Sequence, residues 1–101
     1  MKIFCMYDVK AAHFIQPFSE TSTIAALRGF DVAVNEGKST FARFPDDFCL
    51  MELADFDPQT GILTPHKSPL NLGSARTVLK MDSVQNSLPF SRPSDETRAT
   101  Q

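Results

Sequence analysis

Nine mostly apolar residues, Phe48 to Phe56, run straight into Asp57-Pro58-Gln59-Thr60-Gly61, and Ile62-Leu63-Thr64 follow. No other stretch of this chain restricts its fold as tightly. Asp, Pro and Gly set the backbone angles of a reversal, and alternating flanks supply two strands, so the segment predicts an antiparallel hairpin with a five-residue loop. Within the first strand Cys49, Met51 and Leu53 point one way, and Phe48, Leu50 and Glu52 the other. Glu52 is expected near an exposed edge of its face.

The remaining elements are read from period and punctuation. In Met1 to Asp8, both alternating sets are apolar (Ile3, Cys5 and Tyr7 against Phe4 and Met6), which predicts a strand inside the sheet. Asp8 to Ala12 is a connection. His13 to Glu20 carries Phe14, Ile15 and Phe18 around Pro17, and the proline restricts it to an edge strand or an irregular extended segment. Thr21, Ser22 and Thr23 are three candidate helix caps. Behind them Ile24, Leu27, Phe30 and Val34 recur at helical spacing and are expected to face the core. Gly29 inside that helix lowers its stability by about 1 kcal/mol relative to alanine, so a packed neighbour is expected there. Gly37 supplies the stop.

Ser39 or Thr40 can cap one short turn holding Phe41, Ala42 and Phe44, which Pro45-Asp46-Asp47 breaks. Ser68 to Gly73 reads as a loop, and Ala75 to Met81 as a short strand or turn. From residue 82 the chain is polar with two prolines, too poor in apolar surface to offset ordering entropy, and reads as a flexible tail. The expected fold is α+β: one domain over residues 1–81, a small, mainly antiparallel sheet with one main helix on one face, and a tail over 82–101.

Size and charge exclude several function classes. At 101 residues the chain allows one domain with a modest core. Its 10 Lys and Arg against 12 Asp and Glu leave a net charge of -2, so any surface for a polyanion must be a local patch. No apolar run reaches the ~18 residues of a membrane span. The short apolar run after Lys2 meets Asp8 and Lys10 at once, unlike a secretory signal, so an intracellular, soluble protein is expected. Two cysteines, Cys5 and Cys49, make no disulfide framework and read as buried, reduced thiols.

No zinc spacing links His13 or His66 to a cysteine. Asp46, Asp47, Asp55 and Asp57 read as solvated turn residues rather than a magnesium site. No nucleophile motif, phosphate-binding glycine loop or dinucleotide fingerprint occurs, so neither catalysis nor a cofactor is expected. What remains is single-strand binding, which combines cations with rings on which bases stack. Lys38, Phe41, Arg43 and Phe44 set two cations and two rings within seven residues, and Lys10, His13 and Phe14 repeat the pattern. The competing reading makes Phe41 and Phe44 anchors of a short helix under the sheet.

The order of segments then becomes informative. A MKIF–YD strand precedes a QPF segment. The helix reads Ala26-Leu27-Arg28-Gly29-Phe30-Asp31-Val32-Ala33-Val34-Asn35. Phe41-Ala42-Arg43-Phe44-Pro45-Asp46-Asp47-Phe48 follows, then Leu50 through Gly61, then Pro69 to Gly73. Over about the first 80 residues this set resembles the small nonstructural protein of gokushoviruses, microviruses with single-stranded DNA genomes that infect bacteria. The resemblance implies a protein of the host cytoplasm, absent from or minor in the virion, that binds DNA during genome synthesis or packaging. Of its polar positions, Arg28 could reach a phosphate, and Asp47 and Glu52 suit a loop brace and a cross-strand ion pair.

The expected function is therefore non-enzymatic binding of single-stranded DNA. Lys10, Arg28, Lys38 and Arg43 would neutralise phosphates, and Phe41 or Phe44 would stack on bases. The alternative is an interaction module acting on a phage replication or capsid component or a host factor. A homodimer is also expected, because so small a sheet leaves apolar surface uncovered.

Overall fold

A computed structural model describes residues 1–80. The tail expected from residue 82, and the boundary drawn after 81, lie outside them. The fold is α+β: a mainly antiparallel five-stranded sheet with one main helix. Strand β1 (Lys2–Asp8) is interior, as its doubly apolar pattern requires. On one side it pairs with β4 (Phe48–Phe56), and β4 pairs with β5 (Leu63–Ser74). Its other side is shared by two short strands, β2 (His13–Phe14) and β3 (Phe18–Glu20). Pro17 lies between them, where a missing N–H breaks no ladder.

Ser22 is the cap of α1 (Thr23–Asn35), accepting a 3.1 Å bond from the Ala25 amide. The buried stripe differs from the expected one. Ala26, Phe30 and Val34 face the core with Leu27 beside them, while Ile24 is 66% exposed. A small residue in the second turn lets the helix approach the sheet, and that proximity outweighs the size of Ile24 one half-turn away. The core joins this stripe to Phe4, Leu50 and Ala75.

Gly29 has no packed neighbour: a Cβ there would meet nothing within 4 Å. Gly29→Ala should therefore raise stability by about 0.5–1 kcal/mol, read as a higher Tm, because alanine reduces the freedom of the unfolded chain without a clash. A lower Tm would show that the helix needs the glycine.

The segment expected to be a loop at Ser68 to Gly73 belongs instead to β5, whose twelve residues run to Ser74. As an edge strand β5 tolerates Pro65 and Pro69. The register passes from Ala54–Pro65 to Glu52–Leu70, so His66 to Pro69 bulge opposite the single residue Leu53. The hairpin loop is correspondingly one residue longer than expected: Phe56 pairs with Leu63, and the Asp57 amide donates to the Ile62 carbonyl at 2.9 Å. Gly73 has φ +126°, an angle side chains rarely adopt, and a Cβ there would stand 3.0 Å from Thr77 Oγ1. It turns the chain into a 3-10 turn at Ala75–Thr77. Asn35 ties the segment after this turn to α1, donating to the Val78 carbonyl and accepting from the Lys80 amide, each at 2.8 Å.

Candidate nucleic-acid interface

Ser39 opens α2 (Thr40–Arg43), its hydroxyl accepting from the Phe41 and Ala42 amides at 2.9 and 3.2 Å. The cap decides where the two rings go. Phe41 turns inward and meets Phe48 edge-on, with centroids 5.0 Å apart. It packs against the core and is the helix anchor, not a free stacking surface. Phe44, one residue past the helix, stays 48% exposed, and the Arg43 guanidinium lies 5.4 Å from its ring centroid. A cation over a ring face is an attractive pair, and here it holds both groups at the surface.

Lys10 reaches the same end of the molecule through the backbone. The Val9 amide donates to the Asp47 carbonyl at 2.8 Å, joining the β1–β2 turn to the segment after Phe44. Lys38 sits on the other flank, immediately before the Ser39 cap. Arg28 is placed differently. It is exposed near the middle of α1, about 160° around the helix from the buried stripe at 100° per residue, so it faces outward from the sheet. Lys38, Arg43 and Phe44 thus belong to the α2 segment, the Val9–Asp47 bond ties the turn carrying Lys10 to the chain just after it, and Arg28 lies on the outward side of α1.

Charge pairing sets Lys2, Arg76 and Lys80 apart from these cations and from Lys67. Arg76 binds Asp46 with two bonds, at 2.7 and 3.0 Å, and Lys80 lies 3.7 Å from Asp31. The Arg76 guanidinium holds the Asp46 carboxyl below its usual value. Lys10, Arg28, Lys38 and Arg43 have no ion-pair partner among the described residues. Asp46 is thereby committed to Arg76 and not to Arg43. The acidic residues act as braces. The Lys2 ammonium lowers Asp55, and Asp57 is lowered chiefly by the Gln59 amide that it accepts at 2.9 Å.

A second polar group lies inside the fold, and the expectation for it needs correcting. Glu52 is only 5% exposed and sits on the helix-facing side of the sheet, not at an exposed edge. Its Oε1 accepts from Thr23 Oγ1 at 2.8 Å, and its Oε2 accepts from His66 Nε2 at 2.8 Å, with Lys2 Nζ 3.6 Å away. Burial pushes the carboxyl up. The Thr23 and His66 hydrogen bonds and the Lys2 charge outweigh it, so Glu52 lies below the usual glutamate value. Thr23 opens α1, and the helix dipole there favours the same negative charge. The expected ion pair with a neighbouring strand exists, through Lys2.

Sequence reasoning missed the His66 partnership because His66 lies in a bulge, between the strand read to Thr64 and the loop read from Ser68, where no pattern sets its facing. The available signal was Glu52 itself, a carboxylate alternating with Phe48 and Leu50. Cys5 and Cys49 are buried free thiols, and burial pushes both upward, away from reactivity. Among the described residues no helix is long and apolar enough to cross a membrane.

The family model described as phage ORF5 protein matches residues 1–78. No curated protein and no solved structure matches the chain.

Proposed function

Because the chain belongs to the phage ORF5 protein family, we propose that it binds single-stranded DNA, without catalysing a reaction, during viral genome synthesis or packaging in the host bacterial cytoplasm. The resemblance to the gokushovirus nonstructural protein points the same way. The observation that carries the reading is Arg43 laid over the half-exposed Phe44 ring, with Lys10 and Lys38 on adjoining chain and without an ion-pair partner among the described residues. A base can stack on the free side of that ring while the three cations neutralise successive phosphates. Stacking tolerates any base, so recognition would follow the strand and not its sequence. The role expected of Phe41 passes to Phe44, and Arg28 is left as an outlying contact.

The test is a labelled oligonucleotide titrated at several salt concentrations. Affinity should fall steeply with salt, and Arg43→Ala should flatten the log–log slope by about 0.7, the share of one single-strand phosphate contact. Phe44→Ala should weaken binding about 5- to 150-fold with little change in slope, since stacking is worth about 1–3 kcal/mol per base. Failure of both single- and double-stranded DNA to bind at low salt would overturn the reading. The interaction-module alternative would then lead, and it draws support from the apolar side chains left at the surface, among them Phe14, Val32 and Leu63.

A further inference from the structure

The sheet sorts its residues by charge. Residues paired across strands share a face. One face therefore carries Lys2, Phe4, Met6 and Asp8 of β1, with Leu50, Glu52 and Asp55 of β4. Every helical element packs on that side: α1 on Phe4 and Leu50, Phe41 of α2 on Phe48, and Ala75 of the 3-10 turn in the same core. The opposite face is formed by Ile3, Tyr7, Phe14, Met51, Phe56 and Leu63, with the buried Cys5, Cys49 and Ala54 between them and Asn71 and Ser74 at its margin. None of these carries a charge. No helix among the described residues covers them, and Phe14 and Leu63 remain 44% and 55% exposed.

We infer that this uncharged face is the contact surface of a homodimer, with a second copy of the chain stacked on it sheet to sheet. Three properties select a copy over another occupant. A face without charge meets itself across a two-fold axis with nothing to repel and no ion to strip of water. A nucleic acid would find no Lys or Arg among the register-paired residues of this face to neutralise it. The area also suffices. Strands about 4.8 Å apart, with seven residues in β1, nine in β4, twelve in the bulged β5 and two and three in β2 and β3, give a flat footprint of roughly 450–500 Å², which side-chain relief raises toward the ~800 Å² per partner of a stable interface. Two sheets stacked about 10 Å apart would share one dry layer. The inference stands apart from DNA binding, which uses the α2 end.

The experiment is sedimentation equilibrium of the full chain across micromolar to submillimolar concentration. A mass twice the 11.2 kDa of one chain is expected. Phe14→Glu and Leu63→Glu each place a charge on both sides of the two-fold contact and should raise the dimer dissociation constant at least about tenfold. Both positions are exposed and lie near opposite ends of the sheet, so circular dichroism should show an unchanged fold in at least one. Val32→Glu, on an exposed position of α1, should leave the dimer intact. A monomer at every concentration would overturn the inference. Equal effects of the face and helix substitutions would overturn it too.

Discussion

Glu52→Gln is expected to lower stability at neutral pH by about 3 kcal/mol, which for a domain this small is a fall in Tm of about 12–24 °C. The side chain is nearly isosteric, so packing changes little. What changes is the charge between His66 Nε2 and Lys2 Nζ, which lie 2.8 and 3.6 Å from Oε2. A glutamine can keep its carbonyl toward His66 and donate its N–H to the Thr23 hydroxyl, so what is lost is the negative charge that His66 and Lys2 face.

The same carboxylate gives the effect a pH signature. Its folded value lies below the ordinary glutamate value, about 4.3. The unfolded chain therefore takes up the proton first as pH falls. The charged group's contribution is complete above that ordinary value and is lost as pH drops through the lower, folded value. Wild type and Glu52→Gln should differ fully at pH 7, and their Tm values should converge in acid. A difference that grows on acidification would contradict the assignment. Asp46, Asp55 and Asp57 are lowered in the same direction, so part of the acid loss will remain in the variant.

Leu50→Ala should be among the most damaging apolar truncations, with an expected loss of about 4 kcal/mol. Leu50 is fully buried and lies under the helix in one cluster with Phe4, Phe30 and Val34. Its neighbours are held by the β1 and β5 ladders on both sides of β4, so collapse into the vacancy is restricted. A domain of this size has only about 5–10 kcal/mol in total, so the variant should be partly unfolded at 37 °C. Denaturant unfolding followed by circular dichroism would measure it. A loss below about 1 kcal/mol would mean that the helix does not pack on the sheet at this residue. Leu70→Ala, at a half-exposed position on the edge strand, should stay within about 1 kcal/mol and serves as the control.

Much of this architecture is legible in the residues. The hairpin follows from Asp57 to Gly61, the interior position of β1 from its doubly apolar alternation, and the start of α1 from the Thr21-Ser22-Thr23 run, of which Ser22 is the cap. The illegible parts share a physical cause: small or punctuating residues whose role is set by what lies across from them. Ala26 outranks Ile24 on the helix because a close approach needs the smaller residue, and no helical period states which side approaches. Pro69 and Gly73 read as a loop because both break regular structure, yet an edge strand with a four-residue bulge accommodates both. That bulge carries His66 to Glu52, a pairing that depends on register and not on local pattern. At the candidate interface the segment from Lys38 to Phe44 was legible as a unit. Which ring would turn inward was not, since it depends on Ser39 fixing the phase of a single helical turn. Arg28 was grouped with the other cations by its charge and by the family resemblance, and the helix carries it elsewhere.

The most direct test of DNA binding at the α2 end is an amide chemical-shift titration with an unlabelled single-stranded oligonucleotide. The largest changes are expected at Arg43, Phe44 and the Lys10 turn, with Lys38 next and Thr23, Glu52 and His66 unmoved. Shifts centred on the Glu52 cluster or on the uncharged sheet face, or no shifts at low salt, would contradict it.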